Sequence, residues 1–145
     1  MKKILFVCHG NICRSPMAEY ILKHLVREAG RDGEFEIASC AVSREEEGNP
    51  IYFPAQRELS RHGIPFDRRH ARRITEADLK HYDHIYYMDA SNASNARYLA
   101  RLFGDKAAKC RPLLSRDVAD PWYTGDFSQT WEDLLAGCTA ILEAL

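Results

Sequence analysis

Long hydrophobic runs are missing from this sequence, and no stretch approaches the ~20 apolar residues that a membrane helix requires. The start, MKKILFVCHG, sets two lysines before an apolar run too short for an export signal, and Phe6 and Val7 are too large for a small-residue cleavage rule ahead of Cys8. A dominant charge is missing too. Twenty basic against 21 acidic residues leave a net charge of −1, which gives no global attraction to nucleic acid or to a membrane surface. Paired cysteine spacing is also absent. The five cysteines, Cys8, Cys13, Cys40, Cys110 and Cys138, are odd in number and irregularly placed, unlike a secreted disulfide framework. With no CxxC and no HxxxH, metal ligation has no support, and neither metal nor cofactor is expected. A reducing, cytoplasmic setting is the expectation. Repeats, low-complexity tracts and linkers are lacking as well, so the 145 residues read as one domain, long enough to bury about two-thirds of its unfolded surface.

What is present alternates. Residues 2–8 (KKILFVC), 34–40 (EFEIASC), 84–88 (HIYYM) and 108–114 (AKCRPLL) read as strands, the last weakened by Pro112. Helical patterns lie between and after them at 15–30, 51–62, 91–103 and 128–145. The last is the clearest, since Trp131, Leu134, Leu135, Cys138, Ile141, Leu142 and Leu145 follow helical spacing. Strict alternation implies an α/β fold: parallel strands, right-handed crossovers and helices on both faces. In such sheets ligands gather at the carboxyl ends of the strands, which directs attention to the residues after Cys8, Cys40, Met88 and Leu114.

Cys8 and Arg14 form a C-x5-R pattern, which alone is weak; Cys110 and Arg116 in CRPLLSR match it too. The second match has no glycine, and its proline lacks an N–H, so it cannot easily curl amides around an anion. CHGNICRS differs. It follows a strand and opens a helix, with Ser15 a candidate N-cap and Pro16 suited to the first helical position. Gly10 and Asn11 tolerate left-handed backbone, so the N–H groups from His9 through Ile12, Cys13 and Arg14 can converge on a dianion. Arg14 adds a planar fork for two phosphate oxygens. Convergent amides, a helix N-terminus and an arginine favour the thiolate of Cys8, making it a nucleophile aimed at phosphorus. A loop curled this tightly brings Cys13 toward Cys8.

The chain resembles the low-molecular-weight protein tyrosine phosphatases. Besides CHGNICRSPMAE it carries GNP (48–50), RHGIP (61–65), HARRIT (70–75), YMDASN (87–92) and DPWY (120–123) in the family's order. The resemblance implies a four-stranded parallel sheet with the phosphate-binding loop after strand 1, phosphotyrosine-containing protein substrates, and metal-independent hydrolysis through a phosphocysteine. A phenolate leaving group has a conjugate acid of pKa near ~10, so a proton donor is needed, and Asp120, stiffened by Pro121, is the candidate. Trp122 and Tyr123 can wall a substrate ring. The Ser15 hydroxyl can donate to the Cys8 sulfur and ease its departure. Asn11, Ser39, His70 and Asp89 match positions that brace the loop from behind. The shared pair Cys8 and Cys13 implies a redox switch in which peroxide forms a disulfide between them. A monomer, or at most a weak dimer, is expected.

One departure stands out. Glu45, in REEEGNP (44–50), falls where the family often has an aromatic or large apolar residue, on the expected substrate wall. RRHARR (68–73) lacks aromatic interleaving and reads as a solvated segment, not a nucleic-acid site. Three other functions compete with this one. Arsenate reductases of the same fold use a downstream cysteine pair, and HYDHIYYMD (81–89) has none; phosphoarginine phosphatases tend to carry threonine where Ile12 stands; an inactive phosphoprotein-binding module should lack Cys8 or Asp120.

Overall fold

The computed structural model describes residues 1–90 and 93–145, leaving aside the side chains of residues 93, 94 and 105–107. The first strand, β1 (Lys2–Cys8), lies inside the sheet, and Ile4, Leu5, Phe6 and Val7 are fully buried. Each such side chain contributes ~1.5–3 kcal/mol on burial, and a strand covered on both faces must be apolar at consecutive positions. Its neighbours are β2 (Phe35–Ala41) and β3 (His84–Tyr87), with β4 (Cys110–Pro112) at the edge beyond β3. The order is β2-β1-β3-β4, and every pairing is parallel.

The helices are α1 (Arg14–Glu28), α2 (Phe53–Arg61), α3 (Glu76–His81), α4 (Ala93–Phe103), α5 (Pro121–Thr124) and α6 (Phe127–Ala144). Alternation along β1 assigns its side chains to two cores. Ile4 and Phe6 pack with Met17 and Ile21 of α1 and with Leu134 and Ile141 of α6. Leu5 and Val7 pack with Leu79 of α3 and with Leu99 and Phe103 of α4. The chain is thus a single α/β domain with a four-stranded parallel sheet covered on both faces, as the alternation predicts. No described helix is long and apolar enough to cross a membrane.

Several expected boundaries move. β4 spans three residues instead of 108–114, because residues 104–109 form a 3-10 turn and Pro112 cannot donate to the ladder. Helix α1 starts at Arg14 with Cys13 as its N-cap residue, so Ser15 is not the cap and Pro16 is the third helical residue. The Ser15 hydroxyl serves the site instead. Helices α3 and α5 were not expected. Both are too short for periodicity but carry caps: Thr75 and Asp78 form a capping box, and Asp120 caps α5 with proline at its first position and left-handed Gly125 (φ 71°) at its end. Ser91 and Asn92, which end the YMDASN match and begin the helix expected at 91–103, lie outside the described residues.

Candidate active site

Residues 8–14 connect the carboxyl end of β1 to the start of α1, and the backbone there is sorted by polarity. The carbonyls face the protein: Cys8 O accepts from Val42 N (3.0 Å), His9 O from Ser43 N (3.1 Å), Ile12 O from Tyr52 N (2.9 Å) and Cys13 O from Met17 N (3.1 Å). Asn11 O accepts from Arg69 Nη1 at 2.9 Å. Amides therefore remain for the inside of the loop, and two of them, Asn11 N at 3.3 Å and Ser15 N at 3.4 Å, donate to Cys8 Sγ. Ser15 Oγ lies 3.0 Å from the same sulfur. A thiol donates across that gap, whereas a thiolate leaves the hydroxyl as the only donor.

Asn11 makes the turn possible. It is the one left-handed residue other than glycine among the described residues (φ 59°). Gly10, expected to share that conformation, does not; it supplies room instead, because a Cβ there would lie 3.2 Å from Glu46 Cγ. Asn11 Nδ2 donates to Ser15 Oγ (2.7 Å) and Ser39 Oγ (3.0 Å), and Ser39 Oγ donates to Glu19 Oε1 (2.6 Å). Asn11 Oδ1 accepts from Arg69 Nη2 and from Arg72 N.

Arg14 is 2% exposed. Nη1 donates to Val118 O at 2.8 Å and Nη2 to Asp120 Oδ2 at 3.3 Å, with Asp89 Oδ2 3.8 Å away. Two bonds leave Nε–H and one hydrogen on each terminal nitrogen, enough for a bidentate grip. Asp120 uses Oδ1 for the Trp122 amide (3.0 Å) and turns Oδ2 toward Arg14. Together Cys8, Cys13, Arg14, Asp120, Trp122 and Tyr123 line one pocket with His9, Ile12 and Glu45. Trp122 and Tyr123 are largely solvent-facing, and Trp122 leans on Tyr52 with ring centroids 4.7 Å apart.

Two cysteines face this pocket, and both are free. Burial first, then the neighbouring Cys8, pushes the Cys13 thiol well above its ordinary range. His9 is gripped at both nitrogens: Nδ1 meets Asn95 Oδ1 at 3.1 Å and Nε2 meets Glu45 Oε2 at 2.9 Å. Both partners accept, which suits the imidazolium. Burial lowers its pKa, but the bonds to Glu45 and Asn95 outweigh burial and raise it. Glu45, expected as substrate wall, thus also ties residues 44–47 to the loop.

The structure brings Cys8, Arg14, Ser15, Asn11, Ser39 and Asp120 together. It does not bring His70, which is exposed and meets Gly48 O at 2.9 Å. Its expected place behind Asn11 is taken by Arg69, and Asp89 Oδ2 lies 3.8 Å from Arg14 Nη1. RRHARR is accordingly not merely solvated, for Arg69 holds Asn11 and Arg72 pairs with Asp78 at 2.9 Å. The competing C-x5-R match resolves differently: Arg116 donates to both Asp133 oxygens, at 3.1 and 2.7 Å.

A thiol at the focus of amides and an arginine, at the carboxyl end of a central parallel strand, is an arrangement suited to holding an oxyanion above a nucleophilic sulfur. The family model described as low molecular weight phosphotyrosine protein phosphatase matches residues 3–145. The low molecular weight protein-tyrosine-phosphatase YfkJ of Bacillus subtilis is 37% identical over 152 residues, covering all of this chain and 96% of the relative. Its crystal structure superposes with a TM-score of 0.92 at 38% identity, over 99% of this chain and 94% of that one. The human low molecular weight phosphotyrosine protein phosphatase is 36% identical, over 98% of this chain and 94% of the relative. The crystal structure of DARP, Drosophila arginine phosphatase, gives a TM-score of 0.85 at 30% identity, over 99% of this chain and 97% of that one. The chain belongs to the low-molecular-weight phosphotyrosine protein phosphatases, a family of hydrolases.

Proposed function

We propose that this protein hydrolyses phosphotyrosine in protein substrates through a phosphocysteine at Cys8. The observation that carries the reading is Cys8 Sγ, met by Asn11 N, Ser15 N and Ser15 Oγ with Arg14 alongside. The sulfur attacks phosphorus in line while the loop amides and Arg14 hold the equatorial oxygens. The phosphorus–oxygen bond to the ring breaks, and Asp120 passes a proton to the departing oxygen. That proton rides on Oδ2, which faces the pocket and exchanges its bond from Arg14 Nη2 for the substrate oxygen, while Oδ1 stays with the Trp122 amide. Water then attacks the phosphocysteine, Asp120 takes its proton, and Cys8 leaves as a thiolate with Ser15 donating to it. Arg14 and the amides supply the positive field that a metal ion provides in other phosphatases. Trp122 and Tyr123 flank the substrate ring.

The test is side-by-side hydrolysis of phosphotyrosine, phosphoserine and phosphoarginine peptides with chelator present, by wild type and Cys8→Ser. Phosphotyrosine should be turned over and the others not. Cys8→Ser should lose turnover yet still bind inorganic phosphate, because Arg14 and the amides survive. Turnover of phosphoarginine above phosphotyrosine would replace this reading with the activity named for the Drosophila relative, and turnover by Cys8→Ser would refute the phosphocysteine.

A further inference from the structure

Phosphate chemistry accounts for the floor of the site but not for its rim. Two adjoining clefts open over Arg14. One lies above the Cys8 sulfur, between Ile12, Glu46 and Trp122, and the other runs past it toward Asp89, Asn95 and Thr124. Five residues belong to both: His9, Arg14, Glu45, Asp120 and Tyr123. A phosphotyrosine with its phosphorus at Cys8 fills the first cleft, and the residues next to it in the substrate chain meet the divide between the two.

The charge on that divide has the wrong sign for a dianion. Besides Arg14, which the phosphate engages, His9 is the one cation lining either cleft among the described residues. Of the carboxylates there, Asp120 has its place in proton transfer, and Asp89 stands 3.8 Å from Arg14 Nη1. Glu46 lays its stem over Gly10 and accepts from Asn49 Nδ2 at 2.6 Å. Glu45 takes no part in the reaction. A carboxylate set beside a bound dianion weakens binding unless the substrate brings a cation of its own.

Glu45 is also held in place. Its side chain is 69% exposed, yet Oε2 meets His9 Nε2 at 2.9 Å, and His9 is anchored in turn at Asn95. Ser43 secures the backbone beside it, donating to His9 O from both N (3.1 Å) and Oγ (3.0 Å) and accepting from Glu45 N at 3.4 Å. Exposed ion pairs are weak partly because two long side chains must be immobilised. A carboxylate already fixed to the loop has less freedom to lose. Among the described residues Oε1 has no partner, so it stands open to a cation from outside. Arg44, exposed in the same turn, lines neither cleft.

We propose that Glu45 is a specificity-determining residue: it receives the guanidinium or ammonium group of an arginine or lysine neighbouring the phosphotyrosine, so that basic phosphopeptides are preferred over neutral and acidic ones. The inference rests on the phosphotyrosine reading above.

The test measures kcat/KM at low ionic strength for phosphotyrosine peptides carrying arginine, alanine or glutamate in turn at the two positions on either side of the tyrosine. It also measures Kd for the same peptides with a non-hydrolysable phosphonate in place of the phosphate. Wild type should prefer arginine over alanine by about two- to fivefold at one position or more, the range of an exposed ion pair, and should disfavour glutamate there. Glu45→Gln, whose amide oxygen still accepts from His9, should flatten the series, and Glu45→Lys should invert it. Ratios between peptides cancel any general effect of a substitution on the cradle. Glu46→Gln, at a carboxylate engaged by Asn49, should keep most of the preference. A flat wild-type series overturns the proposal, as does an equal loss in Glu46→Gln. An arginine preference that survives Glu45→Gln overturns it too, and assigns the preference to stacking on Trp122 or Tyr123. No turnover of any phosphotyrosine peptide would overturn the phosphatase reading instead, and the Kd series would still decide the role of Glu45.

Discussion

Replacing Asp120 with asparagine should separate two tasks that alanine confounds. Asp120 caps α5 by accepting from Trp122 N at 3.0 Å, so alanine gives up a cap of ~0.5–2 kcal/mol and loosens the segment carrying Trp122 and Tyr123. Asparagine keeps an oxygen for that amide but cannot deliver a proton. For phenyl phosphate, whose phenol has a pKa near ~10, losing the general acid should lower kcat/KM by ~10²–10⁴. That is ~2.7–5.4 kcal/mol of transition-state stabilisation. A dinitrophenyl ester departs as an anion unaided, and its loss should stay under about tenfold. The assay is kcat/KM across a series of aryl phosphates for wild type, Asp120→Asn and Asp120→Ala, with inhibition by inorganic phosphate checking the cradle. The asparagine variant should show a steep dependence on leaving-group acidity where wild type is shallow. Parallel dependences would refute Asp120 as the acid, whatever the size of the loss.

Peroxide should convert Cys8 to a sulfenic acid that the Cys13 thiol attacks, releasing water and closing a disulfide, so wild type should regain activity with dithiothreitol better than Cys13→Ser. Because burial holds Cys13 as a thiol, closure should be slow; equal recovery and no intraloop disulfide by mass spectrometry would make Cys13 a packing residue. His9, raised above 6.5 by Glu45 and Asn95 against the opposing pull of burial, contributes stability that is complete below that value and lost as pH climbs through the raised one. Urea unfolding should therefore show stability falling from about pH 6.5 upward, and a flatter profile in Glu45→Gln. Gly137→Ala should be destabilising by ~1 kcal/mol even though alanine favours helix. The new Cβ would stand 2.5–2.9 Å from three atoms of Leu113, and Leu113→Ala in the same chain should recover part of the melting temperature.

The sheet was legible because burial on both faces writes itself as an unbroken apolar run, as at Ile4–Val7, and α6 because eighteen residues allow several turns of periodicity. The anion loop was legible from CHGNICRS, where glycine, asparagine and arginine have separate physical tasks. What escaped was set by tertiary placement. Arg69 and His70 are neighbours in one basic run, and nothing local says which of them turns inward to Asn11. Glu19 reads as an ordinary surface charge on an amphipathic helix until Ser39, twenty residues away, is seen to donate to it. His9 carried no signal for its grip, since Glu45 and Asn95 reach it from distant segments. Helices α3 and α5 did carry one, in Thr75-x-x-Asp78 and in Asp120-Pro121 before Gly125.

The strand that ends at Cys8 is paired along both edges, with β2 from Lys2 to Cys8 and with β3 from Ile4 to Val7. Edge strands can peel away while a domain stays folded, and three-residue β4 is built to do so; an interior strand cannot. Freeing the thiol by local opening would mean splitting the sheet through its middle, an event of the same size as melting the domain. Amide exchange along β1 should accordingly be among the slowest in the molecule, and activity should persist through fraying of β4. Loss of catalysis on warming then marks the melting of the whole, so the enzyme's own turnover serves as a gauge of its folded population.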